Sequence, residues 1–336
     1  MIQVSKPSIT DLERKYINEA IDCSDIGIGD FTPRFEKAWA DYNSKEYGVS
    51  CSSGTNALFL ALKALGIGKG DEVIVPEFTM IATAWAVSYT GATPVFVDCL
   101  DDLTADPNDI REKITDNTKA IMVVPIYGRP VCDSIYSLGI PIIEDMAEAH
   151  GIQPKGLISC YSFYGNKILT TGEGGMCLTN VKDLADKIRY YSNMCFDKSR
   201  SMIHQDIGFN FRMTNIQSAI GLAQVERADE LIAKREQVAK LYDLYLPEKC
   251  LMPKREVVWV YDIKCDQRLK KYLYDNDIDS RYFFKPMSEQ PMYLGEYEHL
   301  EAYRWSRQGL YLPCYPDLKK DDIIKICDTI KSFTLQ

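Results

Sequence analysis

The sequence predicts an α/β protein, with a mostly parallel sheet in a large domain and a smaller α+β domain at the C-terminus. From about residue 45 to 180, short β-branched runs alternate with helical patterns, which is typical of a parallel sheet covered by helices on both faces. Beyond about residue 245 this alternation stops, and a strand-like run lies between helical patterns. We therefore expect a large domain over residues 1–240, which includes an N-terminal segment and a linking helix, and a small domain over residues 241–336.

Seven short runs in the first part of the chain are predicted as the strands of this sheet, because they are rich in apolar side chains and separated by turn residues. In chain order they are YGVSC (47–51), DEVIVP (71–76), TPVFVD (93–98), AIMVVPIYG (120–128), IPIIED (140–145), ISCYSF (158–163) and GMCLT (175–179). Between the first two, residues 55–65 have helical spacing, and glycines at positions 66, 68 and 70 end the pattern. This stretch predicts a βαβ unit.

Helical patterns follow in the rest of the chain. The segment VKDLADKIRYYSNM (181–194) predicts an amphipathic helix. Thr214 can cap the next pattern, which runs to Leu241; at more than about 25 residues it is either bent near Ala228–Asp229 or a long strut between the domains. In the small domain we predict one strand and two helices, in VVWVYDIKC (257–265), QRLKKYLYDN (267–276) and DDIIKICDTIKSF (321–333).

Charge and composition exclude several classes of function. The net charge is −9 and no block is rich in Lys and Arg, so we expect no binding to nucleic acid or anionic membranes. The N-terminus, MIQVSKPSIT, lacks the basic and apolar stretches of a signal peptide, and we expect a cytoplasmic protein. Eleven cysteines are scattered without a C-x-x-C pair, so they are expected to be reduced and mostly buried, with no metal site.

The segment SSGTNALFLALKAL is a candidate phosphate site. A predicted strand ends at Ser52, and Ser53, Gly54 and Thr55 lead directly into a helix. Backbone N–H groups and the positive end of the helix dipole then face outward beside hydroxyl groups, an arrangement that binds a phosphate monoester. The alternative is an ordinary helix cap with a tight turn.

The segment IPIIEDMAEAHG places carboxylates at the carboxyl end of a predicted strand, where ligands bind in open parallel sheets. Asp145 could pair with a protonated pyridine nitrogen and so keep such a ring an electron sink. Alternatively, Asp145 caps the following helix and Glu148 is solvated. His150 is at least as consistent with a structural hydrogen bond as with a site role.

The segment CYSFYGNKILTTGEGGM places a lysine between an aromatic strand and a glycine-rich turn. An amine in a partly apolar pocket has a lowered pKa and can attack an aldehyde to form an imine. Lys167 is therefore a candidate nucleophile, and the glycines would let the backbone turn past a bulky ligand. The alternative is a solvent-exposed loop lysine.

Taken together, these segments resemble the DegT/DnrJ/EryC1/StrS sugar aminotransferases, members of the aspartate aminotransferase fold (fold type I) of pyridoxal-phosphate enzymes. The similarity runs from VSKPSI through IATAWAVSYTGATPVFVD and GFNFRMTNIQSAIGLAQVER to LYLPCYPDL. Within the family, YGNKILTTGEGGM and DSRYFFKPMSEQPMY look most like perosamine and viosamine synthases.

The resemblance assigns a role to each matched residue. It implies that Lys167 carries pyridoxal 5'-phosphate as a Schiff base and shuttles a proton, that Asp145 pairs with the pyridine nitrogen, and that Glu148, where relatives often have Gln, neighbours the ring hydroxyl. It also implies a homodimer with shared active sites. In this dimer the cofactor phosphate would be held by Ser53, Gly54, Thr55 and Ser162 of one subunit and by Asn210 of the other.

The sequence departs from the family pattern near the substrate. Met80 stands where relatives commonly place an aromatic ring against the cofactor, and we expect its side chain to make this contact instead. The segment Asp25–Asp30 replaces the usual loop near the sugar. The implied reaction moves the amino group of L-glutamate to carbon 4 of a nucleotide-linked 4-keto-6-deoxyhexose. Arg281 and Lys285 could meet a diphosphate or the glutamate carboxylate, or be surface charges.

Three alternatives share this scaffold. One is an aminotransferase acting at carbon 3. Another is a sugar dehydratase, a sister group that has His where Lys167 stands; the lysine favours transamination because it can release the product by transimination. The last is a non-catalytic ligand-binding protein, since fold alone does not dictate function.

Overall fold

The computed structural model describes residues 1–196, 202–295 and 300–334. Seven strands of the first part of the chain form one sheet in the order β1-β7-β6-β5-β4-β2-β3. These strands are β1 (Tyr47–Cys51), β2 (Glu72–Pro76), β3 (Thr93–Val97), β4 (Thr118–Val123), β5 (Ile142–Asp145), β6 (Ile158–Ser162) and β7 (Gly175–Thr179). Each coincides with a predicted run, although residues 126–128 of the fourth run form a 3-10 turn.

The sheet is mixed, with strands β2 to β6 parallel to their partners within that group. Strand β7 runs antiparallel to both of its neighbours, β1 and β6. The prediction of a mostly parallel sheet is confirmed, but the direction of β7 was not predicted. This direction has a simple cause, because β6 and β7 are adjacent and joined by a loop without a crossover helix, which is how antiparallel neighbours connect.

Eleven helices surround the strands in the described part of the chain. They are α1 (Asp11–Asp22), α2 (Phe31–Tyr42), α3 (Gly54–Ala64), α4 (Ile81–Thr90), α5 (Pro107–Glu112), α6 (Lys182–Ser192), α7 (Asn215–Glu226), α8 (Ala228–Tyr245), α9 (Arg268–Asp275), α10 (Leu300–Ser306) and α11 (Lys320–Thr334). The predicted helices correspond to α3, α6, α7, α8, α9 and α11. Among the described residues, no helix is both long and apolar enough to cross a bilayer.

The long helical pattern after residue 214 is bent, as one of the two predicted alternatives states. Helix α7 ends at Glu226 and helix α8 begins at Ala228, and between them Arg227 has φ −112° and ψ 12°. The side chain of Thr214 caps α7 by accepting a hydrogen bond from the backbone N–H of Gln217, whose side chain accepts in return from the backbone of Thr214. This reciprocal cap confirms the predicted start of the helix.

Apolar side chains cover both faces of the large sheet. On one face, Val73 and Val75 of β2 pack with residues of α3, α4 and α6. The alternate residue Ile74 belongs to a separate cluster on the other face, as the two-residue period of a strand requires. Of the eleven cysteines, eight are buried, in agreement with the expectation that most of them fill the interior.

A second, antiparallel sheet lies in the C-terminal part and has the order β8-β10-β9. Its strands are β8 (Tyr261–Lys264), β9 (Arg281–Tyr282) and β10 (Gly309–Leu312). Strand β8 is shorter than predicted, because the backbone N–H of Val257 bonds to the carbonyl of Gly128 instead of a neighbouring strand. Helices α8, α9 and α11 cover this sheet with their own apolar cluster, and α8 spans residue 240, so the domain division there stays a prediction.

Candidate active site

A cavity of about 430 Å³ opens beyond the carboxyl ends of strands β2, β5 and β6. Parallel strands present their carboxyl ends at one edge of the sheet, where ligands usually bind. Eight of the predicted site residues line this cavity: Ser53, Gly54, Thr55, Met80, Asp145, Glu148, Ser162 and Lys167. The fold therefore brings together residues that lie more than one hundred positions apart in the sequence.

Lys167 lies in the loop between β6 and β7, and its backbone is held on both sides. Its N–H donates to the carbonyl of Tyr164 at 2.9 Å, and its own carbonyl accepts from Nη2 of the buried Arg235 at 3.2 Å. The amine Nζ lies 4.0 Å from the centroid of the Trp259 ring. Burial lowers the pKa of this amine, while the carboxylates of Glu148 and Asp145 act in the opposite direction. A larger fraction of the amine is thus neutral and nucleophilic than in water.

Asp145 ends strand β5, and its side chain is buried at the cavity wall. Its Oδ2 accepts a hydrogen bond from the hydroxyl of Thr83 at 2.8 Å, and its Oδ1 accepts from the backbone N–H of Ala147 at 3.2 Å. Burial raises the pKa of the carboxyl, whereas these two hydrogen bonds and the nearby Lys167 favour the ionised form. A buried carboxylate held in one orientation can pair with a cationic ring nitrogen.

Glu148 is buried in the cavity wall, which excludes the alternative of a solvated side chain. Its Oε2 accepts a hydrogen bond from the backbone N–H of Tyr127 at 2.8 Å. Burial raises the pKa of Glu148 to about 7, with Lys167 opposing the shift. This carboxyl can therefore hold or release a proton close to neutral pH.

The first turn of helix α3 forms a narrow cradle against strand β6. Ser53 caps the helix, with its Oγ accepting from the backbone N–H of Asn56 at 3.2 Å. A Cβ at Gly54 would lie 2.6 Å from the Cβ of Ser162. Only glycine allows the helix start to approach the Ser162 hydroxyl this closely, so the N–H groups, the helix dipole and the hydroxyl converge on one point.

The glycine-rich turn after Lys167 is also sterically required. Gly172 has φ +82°, a left-handed conformation that glycine adopts without strain. A Cβ at Gly174 would lie 2.4 Å from the Cε of Met213. One at Gly175 would lie 2.2 Å from the carbonyl oxygen of Ser53. The turn therefore packs against the backbone of the cradle and fixes the two parts of the site relative to each other.

Three predicted residues lie elsewhere in the described part of the chain. Asn210 is exposed and pairs with Asn193 in an isolated bridge, so its predicted role requires a second subunit and stays a prediction. Arg281 lines a second, neighbouring cavity. Lys285 is exposed and its Nζ lies 3.9 Å from Oε2 of Glu289, which corresponds to the alternative of a surface charge.

His150 has the structural role that the sequence left open. Its ring is buried against Trp39, Tyr161 and Phe163, and its Nδ1 accepts a hydrogen bond from the N–H of Leu169 at 3.2 Å. Burial lowers the pKa of the imidazole to about 3. A neutral histidine thus fixes the loop that follows Lys167.

Sequence reasoning missed several side chains of the cavity wall. Three of them, Tyr164, Asn166 and Glu173, lie in the same segment as Lys167 but were not assigned a role. The others come from outside that segment: Thr79, Trp259, Phe284 and Tyr311. The departure at Asp25–Asp30 is an exposed loop outside the cavity wall, and the side chain of Asn215 holds it through the carbonyl of Asp25 and the N–H of Phe31.

The residues of the cavity fit pyridoxal phosphate, which presents an aldehyde, a pyridine nitrogen and a phosphate monoester. The amine of Lys167 suits the aldehyde, and the buried Asp145 suits the protonated nitrogen. The cradle that a Cβ at Gly54 would fill suits the phosphate. All three features line one cavity, as a ligand with three distinct ends requires.

Comparison with known proteins gives consistent matches over nearly the whole chain. The sequence profile of the DegT/DnrJ/EryC1/StrS aminotransferase family matches residues 7–331. The chain is 40% identical to the GDP-perosamine synthase of Escherichia coli O157:H7, over 99% of this chain and 98% of that protein. It is 34% identical to the UDP-2-acetamido-2-deoxy-3-oxo-D-glucuronate aminotransferase of Pseudomonas aeruginosa, over 89% of this chain and 90% of that protein.

The fold is similar to that of a solved sugar aminotransferase. The putative sugar aminotransferase Spr1654 of Streptococcus pneumoniae, solved in its PMP form, superposes with a TM-score of 0.91. That superposition covers 100% of this chain and 99% of the other, at 25% sequence identity. The expected aspartate aminotransferase-like fold is therefore confirmed.

Proposed function

The chain belongs to the DegT/DnrJ/EryC1/StrS aminotransferase family, and from that premise we propose that it transfers the amino group of L-glutamate to carbon 4 of a GDP-linked 4-keto-6-deoxyhexose. It is a pyridoxal-phosphate-dependent nucleotide-sugar aminotransferase. The proposed product is a 4-amino-4,6-dideoxy sugar that remains attached to the nucleotide.

One observation carries the choice of carbon 4 and of GDP. The chain is 40% identical to a GDP-perosamine synthase across 99% of its length, and perosamine is a 4-amino sugar. Identity at this level over a full chain supports a shared substrate class. The presence of Lys167 in the cavity, with an amine whose pKa is lowered by burial, supports transamination in place of dehydration.

The side chains of the cavity divide the work of the proposed reaction. When bound, pyridoxal phosphate supplies an aldehyde that takes up the amino group and a ring that delocalises electrons. The neutral amine of Lys167 would hold the cofactor through its aldehyde carbon, and when free it would move a proton to or from the reacting substrate carbon. The carboxylate of Asp145, oriented by Thr83 and Ala147, stabilises positive charge opposite it. The start of α3, with Ser162, would hold the phosphate.

We also propose that the enzyme is a homodimer with shared active sites. Asn210 is exposed and lies outside the cavity of its own chain. A two-fold axis would let each subunit offer the same patch to the other. The exposed side chains of Ile203 and Ile207, which are 65% and 83% exposed, lie close to Asn210 in sequence and support a covered surface in the assembly.

The proposal is tested by the two half-reactions of the purified holoenzyme. L-glutamate alone should remove the visible absorption band of the bound cofactor. Addition of GDP-4-keto-6-deoxymannose should restore the band and yield an amino sugar whose nitrogen is on carbon 4 by NMR. If the band does not respond to glutamate, the amino donor is a different compound. If the GDP-linked sugar does not restore the band, the acceptor is a different sugar.

A second candidate is amination at carbon 3. The P. aeruginosa relative is named as acting on a 3-oxo sugar and is 34% identical. The same assay separates the two reactions, because a UDP-linked or dTDP-linked 3-keto sugar would then restore the band and the GDP-linked 4-keto sugar would not. That result would overturn the assignment to carbon 4 and leave the role of the cofactor unchanged.

A further inference from the structure

A second cavity of about 460 Å³ adjoins the active-site cavity. The two share four wall residues: Tyr164, Asn166, Trp259 and Tyr311. Trp259 also contacts the amine of Lys167 at the distance given above. A molecule whose reacting group lies at Lys167 could therefore extend past Trp259 into the second cavity.

The second cavity contains a positive charge on its wall. Arg281, the first residue of β9, lines it. Nη1 of Arg281 bonds to the carboxylate of Asp279 and donates to the carbonyl of Ser280 at 3.2 Å. The backbone N–H of Asp279 in turn donates to the carbonyl of Ile2 at 2.9 Å. The guanidinium is thus oriented by its neighbours, and its planar, multi-donor head suits a carboxylate or a phosphate.

Two other wall residues carry polar atoms that need a partner. Ser5 Oγ and Asn166 Oδ1 are both buried, and neither has a hydrogen-bond partner within the described residues. Buried polar atoms without partners cost free energy unless a ligand or water satisfies them. Both residues line the same cavity as Arg281, so a polar ligand bound there could satisfy these atoms.

We propose that this second cavity binds the anionic end of a substrate whose reacting group lies at Lys167, with Arg281 as the anion-binding residue. The inference rests on the proposed function, since both substrates there carry the required charge: carboxylates in L-glutamate and a diphosphate in the nucleotide sugar. It deepens that function by separating Arg281 from Lys285. Both side chains are 49% exposed and each lies near an acid of its own segment, Asp279 or Glu289, but Arg281 lines the cavity and Lys285 does not.

Equilibrium binding to the holoenzyme tests this inference without turnover. Two probes distinguish the source of the anion: glutarate, which has the carboxylates of glutamate and no amine, and GDP, which has the diphosphate and no sugar. Isothermal titration calorimetry would measure both probes with the wild type, Arg281→Gln and Lys285→Gln. The last variant is the matched control, because it removes a nearby cation of the same segment that lies outside the cavity.

We expect Arg281→Gln to weaken the binding of one probe by about tenfold or more, as the loss of a charge-assisted hydrogen bond does, and Lys285→Gln to change neither by more than about twofold. Weakened glutarate binding identifies a donor subsite, and weakened GDP binding a nucleotide subsite. Equal binding by all three proteins, or no binding of either probe by the wild type, overturns the inference. Failure of the proposed function is a separate result, because it would appear in the half-reactions and not in these titrations.

Discussion

At the scale of single residues, the site depends on three titratable groups that share one cavity. Lys167, Asp145 and Glu148 interact electrostatically. Burial raises the pKa of the two carboxyls and lowers that of the amine, so it favours the neutral form of each group. The attraction between Lys167 and the two carboxylates opposes these shifts, whereas repulsion from Asp145 adds to the raised pKa of Glu148. The protein environment thus sets the protonation of these ordinary side chains, and single substitutions can test the contribution of each residue separately.

Replacement of Lys167 by alanine should abolish both the visible band of the bound cofactor and turnover, because the nucleophilic amine is lost. Lys167→Arg should behave in the same way, since a guanidinium keeps the charge but does not form the imine. Absorption spectra and amine-transfer assays would measure the effect. Circular dichroism must show that both variants are folded, and retention of band and activity in either would disprove the assignment.

Glu148 should make stability depend on pH. Its pKa is about 7 in the fold and near 4.5 in the unfolded chain, so between these values the folded state holds a proton that the unfolded state has released. The wild type should therefore lose stability as pH rises through this window, and Glu148→Gln should not. We expect the advantage of Glu148→Gln to grow by on the order of 1–3 kcal/mol from pH 5 to 8.

Urea unfolding of the cofactor-free protein at several pH values would measure this difference. Glu173→Gln is a suitable control, because Glu173 lies on the same cavity but is exposed. A constant difference between Glu148→Gln and wild type at all pH values would mean that Glu148 does not titrate as described.

The residues at strand ends could be predicted from the sequence, and their partners could not. Asp145 and Lys167 follow apolar runs, which indicates that they lie at an edge of the sheet. Thr83, which orients Asp145, is 62 positions away in sequence, and Trp259 lies in an apolar run that predicts only a strand. No local pattern records which distant side chain meets a site residue.

At the scale of elements, the cradle between α3 and β6 is the most constrained part of the site. Gly54→Ala would place a Cβ 2.6 Å from that of Ser162, so the helix start must move away. We expect at least about a tenfold loss in cofactor affinity and a destabilisation of about 1–3 kcal/mol from the forced shift.

Cofactor binding measured by fluorescence titration, together with thermal unfolding, would test the change. Gly68→Ala is the matched control, because an added Cβ there meets its nearest neighbour, the carbonyl oxygen of Thr90, at an ordinary 3.6 Å. If Gly54→Ala binds the cofactor as well as Gly68→Ala does, the cradle is not the phosphate site.

A local period was the basis of several predicted elements, although α1 and α2 are also amphipathic and were not predicted. The strands of the large sheet are short apolar runs, and α6 is amphipathic, so both have a local signature. Helix α4, with the sequence IATAWAVSYT, is apolar on most sides and gives no helical stripe. Burial alone does not encode the direction of β7; the sequence signal for it is the connection from β6, which has no helical pattern.

At the scale of the whole molecule, the shared-site proposal makes a test by complementation possible. Asn210→Ala should weaken cofactor retention, and Lys167→Ala should be inactive. A mixture of the two should regain about a quarter of wild-type activity, because half of the dimers are mixed and one of their two sites is intact. The assay requires unfolding and refolding of the mixed chains so that subunits exchange.

Verified heterodimers that stay inactive would show that Asn210 does not act across the interface. The control is a mixture of Lys167→Ala with Lys167→Arg, in which every site lacks the lysine. The assembly itself was predictable only through the family resemblance, because one chain's sequence shows exposed residues but not what covers them.

The position of β1 in the sheet has a consequence for biosynthesis. This strand lies at the edge and pairs with β7, so Cys51 meets Gly175 across the intervening chain. At about 5–20 residues per second, a ribosome needs roughly 6–25 s to make that stretch. During this interval the nascent β1 exposes an apolar strand that has no neighbour, and closure of such a long loop slows folding. Premature release of the chain before residue 179 would leave this strand open to aggregation and to chaperones.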